Sequence, residues 1–506
     1  MVLNNFKTEW GEASMKCHAA EKATVYTRNN KAKVNSQYRM NYHLMPEIGW
    51  MNDPNGFIFY QGHYHLFYQY HPYDSVWGPM HWGHAITKDL ISWEHLPVAI
   101  APEDSFDSMG CFSGTAIEKD EDLNILYTGC YKNSDGEVVQ NQNVAFSKDG
   151  VSFTKYPFNP VIPSEKVPEF ASSIDFRDPK IFKKNDEYYC IVASCTQDRT
   201  PLLLLYKSVD LIEWNFFSEL LKGMDGQGRM WECPDYVHID GTDVLIFSPI
   251  ELLSDVQDFQ NLSSCVYVTG KIDWEKGIFL LEDMNEIDHG LDFYAAQTTI
   301  SEDGNPVLVA WMQMWDRNIP THTEGHKWAG AMTIPRQLQL KNKQLYQVPI
   351  PLIDNYFERD TFLQEHTIEN NELFSITDCC RIKVIMKKND NITLKFSSTE
   401  EEYMLIDYTK QENEVTFSRS QMGHKIIGKE NPPLNSRRVK VSSETDNVQL
   451  DILLDVSSIE LFIDGGKDTM SSRIYPFEKI NKLMISGGNV EIVSLEILNY
   501  IGKSGK

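Results

Sequence analysis

Apolar and aromatic residues alternate with polar ones in short runs along most of the chain, and Gly, Asn, Asp and Pro interrupt the runs. Phe57 to Tyr60, His65 to Tyr70, Tyr188 to Ala193 and Val244 to Phe247 are of this kind. A period of two predicts strands with a buried and a less buried face. Helical periodicity is scarce. Only Asn4 to Asn35, rich in charge and alanine, predicts a helix, placed in an N-terminal extension over residues 1–36.

Two phrases repeat. The first recurs at about 60-residue intervals. It reads Thr87-Lys88-Asp89 with Trp93, Ser147-Lys148-Asp149 with Phe153, and Ser208-Val209-Asp210 with Trp214. Each copy predicts a turn in which Asp bonds nearby backbone N–H groups and the aromatic covers the adjoining sheet. The second phrase is an acid and a proline before a hairpin. Asp53-Pro54 precedes a hairpin turned at Gln61-Gly62, Asp178-Pro179 one turned near Asn185-Asp186, and Glu232-Cys233-Pro234 one turned at Asp240-Gly241. Looser copies begin at Cys111-Phe112-Ser113-Gly114 and Asp292-Phe293-Tyr294.

Five such units predict an all-β fold, a five-bladed β-propeller over residues 37–344. The first residues of equivalent inner strands then converge on one axis, so acids far apart in sequence would share one funnel. Past Pro335-Arg336-Gln337-Leu338 the phrases stop. Residues 345–356, with Pro349 and Pro351, read as a linker, and residues 357–506 as a C-terminal β-sandwich of structural or accessory role.

Composition narrows the function. A formal net charge of −25 opposes binding to nucleic acid or anionic membrane. Nine scattered cysteines without metal-type spacing predict free thiols in a reducing compartment. Met1 to Lys31 shows no apolar leader core, and no run is long enough to span a membrane, so a cytoplasmic protein is expected. The sequons at Asn261 and Asn391 are then accidental. Aromatics at 12% suit both packed sheets and sugar faces. Two of the histidines His63, His65, His81 and His84 share a strand face, but no acidic ligand set completes a metal site, and none is expected.

Three acids of the required type, Asp53, Asp178 and Glu232, suit a retaining glycosidase, which needs a carboxylate nucleophile and a carboxyl acid/base about 5–5.5 Å apart. Asn52 and Asn55 beside Asp53 favour its charged form, as a nucleophile needs. Glu232, between Trp231 and Cys233, sits in a less polar setting, where desolvation and like charge raise a pKa. Arg177 is expected to hold Asp178 ionised. Cys233 either tunes the acid/base or packs.

At these residues the chain resembles glycoside hydrolase family 32, the invertase-like β-fructosidases. The phrases are Trp50 to Gly56, Phe67 to Pro72, Trp82-Gly83-His84, Phe112-Ser113-Gly114, Phe176 to Pro179, Trp231 to Asp235 and Asp292 to Ala295. The resemblance implies retention of configuration and no metal or cofactor. It makes Asp53 the nucleophile, Glu232 the acid/base and Asp178 the transition-state stabiliser. It also places Trp50, Met51, Asn52, Gln69, Trp77, Phe112, Ser113, Arg177, Tyr294 and Trp315 at the fructosyl subsite. The implied substrate is a small sugar, sucrose or sucrose 6-phosphate, with self-association as a homodimer left open. Within the family the chain looks most like bacterial intracellular sucrose-6-phosphate hydrolases, with Lys327, His322 and His326 as candidates for a phosphate. A fructosyltransferase, an exo-fructanase acting on short inulin or levan, and a non-catalytic carbohydrate-binding propeller are the alternatives.

Overall fold

The computed structural model describes residues 18–253, 258–430, 432–441 and 445–503. Helix Asn4 to Asn35 of the sequence reading is found over His18–Asn30, followed by a short 3-10 turn; residues 1–17 lie outside the described part. No helix among the described residues is long and apolar enough to cross a membrane.

Five antiparallel sheets form the blades of the propeller. Their inner strands are Gly49–Tyr60, Gly110–Lys119, Ala171–Lys184, Gln227–Ile239 and Tyr294–Ile300, and each contacts the next until the fifth meets the first. The ring is latched by Trp328–Ala329, a segment of the fifth blade that pairs in parallel with Gly49–Trp50 of the first. Because neighbouring blades stack face to face, strands such as Pro201–Ser208 are buried on both sides, which accounts for the unbroken Leu202 to Leu205 run.

Both repeated phrases have a structural cause. Asp89, Asp149 and Asp210 each accept two backbone N–H bonds through Oδ1 (3.0 and 2.8 Å, 2.9 and 2.7 Å, 2.9 and 2.8 Å), closing the same turn after the third strand of blades one to three. The second phrase marks a β-bulge. In all five blades the inner strand has one extra residue against its neighbour: between Met51 and Pro54, Phe112 and Gly114, Arg177 and Lys180, Glu232 and Asp235, and Tyr294 and Gln297. The hairpins turn at Gln61-Gly62 and Asp240-Gly241, with positive φ at both residues of each pair, as tight two-residue turns require.

The linker assignment fails at its start. Gln344–Pro349 pairs with Arg336–Lys341 as the outermost strand of the fifth blade, and only Pro351–Tyr356 connects. Proline is tolerated there because an edge strand lacks an outer partner for its N–H. The remaining strands form a nearly closed sandwich. Its two halves are joined by the long pair Phe357–Ser375 and Lys482–Tyr500, which passes from one half to the other near Asn370 and Gly487. One apolar core, including Ile382, Leu394, Phe396, Ile406, Leu461 and Leu495, fills it.

Propeller and sandwich meet across a buried ionic seam. His43 bonds Asp455 (3.0 Å) and Glu460 (2.9 Å), and Arg336 bonds Glu460 (2.6 Å) and Asp288 (2.9 Å). Arg437 grips Glu286 at 3.0 and 2.9 Å, and Arg419 bonds Asp292. Burial alone would push Glu286 up, but the Arg437 guanidinium and His289 overcome it and hold the carboxyl down at about 2. Asp455 and Glu460 are likewise held below the ordinary range against burial, by His43 and by Arg336 with His43.

Candidate active site

The bulges of the first four blades line a cavity of about 350 Å³ at one end of the propeller, and Trp315 of the fifth blade completes the lining. A bulge turns a side chain away from the regular alternation. Here it happens in the first, third and fourth blades: Asp53, Asp178 and Glu232 all line this cavity. Asp178 has φ 62° and Cys233 φ 48°, a left-handed conformation that costs a non-glycine residue energy and that the surrounding packing must hold.

Asp53 is buried. Its Oδ2 accepts from the Ser113 hydroxyl (2.7 Å) and lies 3.4 Å from the Cys233 sulfur, whereas its buried Oδ1 has no hydrogen-bond partner. Burial pushes the carboxyl upward, Ser113 opposes this, and the Glu232 charge adds to it; the net shift is upward. The Cys233 thiol is itself pushed well up by burial and by the three acids, so it stays protonated and can donate.

Asp178 Oδ2 accepts from the Cys233 backbone N–H (2.9 Å) and lies 3.7 Å from the same sulfur. Its own N–H donates to Thr128 Oγ1 at 2.9 Å. The expectation that Arg177 holds Asp178 ionised is corrected. The guanidinium stays 4.0 Å from Asp178, turning instead to Glu232 (2.9 and 3.2 Å) and Asp175 (2.9 Å). Burial dominates at Asp178; Arg177 opposes it only in part, the charges of Glu232 and Asp53 add to it, and the carboxyl is pushed up to about 7.

Glu232 is the most exposed of the three acids, its side chain about 20% accessible. The less polar setting expected for it is not found. Arg177 holds Oε1 and the Tyr294 hydroxyl donates to Oε2 at 2.6 Å. Its bond partners come from two other blades, which adjacency in sequence does not reveal.

Of the ten subsite candidates, Asn52, Gln69, Trp77, Phe112, Ser113, Arg177 and Trp315 line the cavity. Trp50 is buried behind it, stacked on Trp315 and donating to Asn52 Oδ1 at 2.6 Å; Tyr294 is fully buried under Glu232. Met51 is corrected. It is fully buried with Met332 and Ile334 on the side of its strand away from the cavity, as a period of two requires for the neighbour of Asn52.

Gln140 also lines the cavity and was missed; its Oε1 accepts from Phe176 N (2.9 Å) and Arg177 (3.4 Å). The signal was the run Gln140-Asn141-Gln142-Asn143, four amides buried inside an otherwise apolar strand. None of the three phosphate candidates lines the cavity: His322 bonds Ser75 Oγ (2.8 Å), His326 stacks on Tyr38, and Lys327 is exposed. His65 and His84 bond each other at 3.0 Å in the first blade, and burial pushes His65 down to about 4.

Sequence and fold are shared with known proteins. Residues 43–349 match the N-terminal domain of glycosyl hydrolases family 32, and residues 359–499 match that family's C-terminal domain. A sucrose-6-phosphate hydrolase of Zymomonas mobilis is 36% identical over 472 residues, covering 88% of each chain. Among solved structures, a β-fructofuranosidase of Bombyx mori in complex with sucrose is 34% identical with a TM-score of 0.83, covering 96% of this chain and 98% of that one. A sucrose-6-phosphate hydrolase from Lactobacillus gasseri is 27% identical with a TM-score of 0.85, covering 96% and 99%.

Proposed function

The chain belongs to glycosyl hydrolase family 32, and from that premise we propose that it is a β-fructofuranosidase releasing the terminal fructosyl residue of sucrose or sucrose 6-phosphate by double displacement. The observation that carries the mechanism is the convergence of three carboxyl groups at equivalent bulges in one cavity.

In this reading the Asp53 carboxylate, oriented through Oδ2 by Ser113 and the Cys233 thiol, attacks C2 of the fructosyl unit. The Glu232 carboxyl gives its proton to the glycosidic oxygen, the C2–O bond breaks, and the aldose leaves as an alcohol. Glu232, now a carboxylate, takes a proton from water, whose oxygen attacks C2 and restores Asp53. Arg177 and Tyr294 aim the Glu232 carboxyl throughout. Asp178 binds fructosyl hydroxyls, oriented by the Cys233 N–H. Trp77, Phe112 and Trp315 supply apolar faces for the sugar rings. Seven of the described cysteines, Cys130, Cys190, Cys195, Cys233, Cys265, Cys379 and Cys380, are free thiols, which supports a cytoplasmic setting.

Release of glucose and fructose from sucrose by the purified chain tests this. Asp53→Asn is expected to abolish it with the fold intact; near-normal turnover by that variant would overturn the mechanism.

A further inference from the structure

Resting on the fructosidase reading, the next question is which leaving group the cavity admits. The charge of its lining is one-sided. Asp53, Asp178 and Glu232 face a single cation, Arg177. That guanidinium is already committed, donating to Glu232 through Nε and Nη2 and to Asp175 and Gln140 through Nη1. The rest of the lining is amide, hydroxyl and aromatic: Asn52, Gln69, Ser113 and Gln140 with Trp77, Phe112 and Trp315.

The surrounding face has the same sign. Every connection between strands at the cavity end of the propeller carries an Asp or Glu that is not fully buried, except 287–293, whose Asp288 and Asp292 are buried on arginines. Lys155 offsets Asp104 and Asp107, but Glu103 of the same connection is exposed. Lys and Arg occur in these connections only as Lys166, Arg199, Arg317 and Lys327. Lys166 bonds the Trp214 carbonyl, and Arg317 is buried on Glu430 and the Leu291 carbonyl. Arg199 and Lys327 are exposed and outside the cavity lining. Lys429, which reaches this rim from the sandwich, is paired with Asp316 at 2.6 Å, next to Trp315.

A phosphomonoester would bring between one and two negative charges into this field. A charge-lined cleft with low-dielectric walls focuses its potential, so like charge is repelled both on approach and in place. We propose that this enzyme selects uncharged fructosides, sucrose foremost, and discriminates against 6-phosphorylated ones, unlike the activity named for several of its relatives. Amides and aromatic faces match a neutral hexose, and the acidic rim acts as the rejecting element.

The test compares kcat/KM of the full chain for sucrose and sucrose 6-phosphate at low and high sodium chloride concentration. The expected result is a preference for sucrose of at least about tenfold at low salt, narrowing severalfold at high salt because screening relieves only the charged substrate. Equal use of the two sugars, or preference for the phosphate, would overturn the inference and leave the fructosidase reading standing. A sucrose preference indifferent to salt would overturn the electrostatic cause. Release of fructose from neither sugar would overturn the fructosidase reading and this inference with it.

Discussion

The funnel and the seam are two sets of buried carboxylates in one chain, and they are balanced in opposite ways. In the seam, Glu286, Asp288, Asp455 and Glu460 each meet a guanidinium or an imidazole, and those with a resolved shift are held below the ordinary carboxylate range. In the funnel three acids share one arginine, and Asp53 and Asp178 are pushed above it. A buried acid with its own cation is structural. A buried acid without one is a cost to the fold, retained where chemistry uses it.

This contrast can be broken in graded ways. The largest effect is expected from Asp53→Asn, with turnover lost by at least about 10⁴-fold, since removing a nucleophile from a concerted set costs on this scale. Its thermal midpoint should not fall; a drop would mean Asp53 is a structural acid like those of the seam.

Next comes Arg336→Met, which takes the cation from Asp288 and leaves Glu460 with His43 alone in a dry interface. A broken buried pair costs about 3–5 kcal/mol, read as a fall in the urea midpoint, with kcat per folded molecule unchanged. Unaltered stability would remove the structural half of the comparison.

Asp178→Asn should separate the two roles in one residue, losing turnover while gaining stability. The sign follows from linkage. Asp178 rises from 3.8 to about 7, so the fold gains from its protonated form below pH 3.8 and loses that advantage as pH rises through 7. The asparagine variant should therefore be more stable by about 1–3 kcal/mol at pH 8, with the gain shrinking as pH falls toward 4. Glu286→Gln should show the reverse. The stability Glu286 provides is present above pH 4.5 and lost as pH falls toward about 2, so this variant should be destabilised at pH 7 and the difference should narrow in acid.

The smallest effect on turnover is expected from Ser113→Ala. Loss of a hydrogen bond to a charged oxygen is worth about 1.5–3 kcal/mol, so kcat/KM should drop about 10- to 100-fold. Its acid limb should move to higher pH, because Asp53 loses a donor that favours its charged form.

Much of this was legible in the sequence because it is local. The Asp turns and the Gln61-Gly62 and Asp240-Gly241 hairpins obey rules spanning four residues, and their repetition exposed the blades. The acids were visible as repeat-equivalent positions. What stayed hidden was contact between blades. Arg177 precedes Asp178 in sequence but serves Glu232, and Tyr294 reaches Glu232 from the fifth blade. Met51 was drawn into the site by its motif, although strand alternation points it the other way. The seam was invisible for the same reason: His43, Asp288, Arg336 and Glu460 are scattered in sequence and meet only when the sandwich docks.

Double displacement requires Asp53 to form a bond to the sugar. Glu232→Gln protein mixed with β-fructofuranosyl fluoride tests it directly, because fluoride leaves without a proton and the second step, which needs Glu232 as base, stalls. Rapid quenching, proteolysis and mass spectrometry should then find one fructosyl residue on the peptide containing Asp53. A label on Asp178 instead, or fluoride release with no trapped adduct and inverted configuration at C2, would contradict the account.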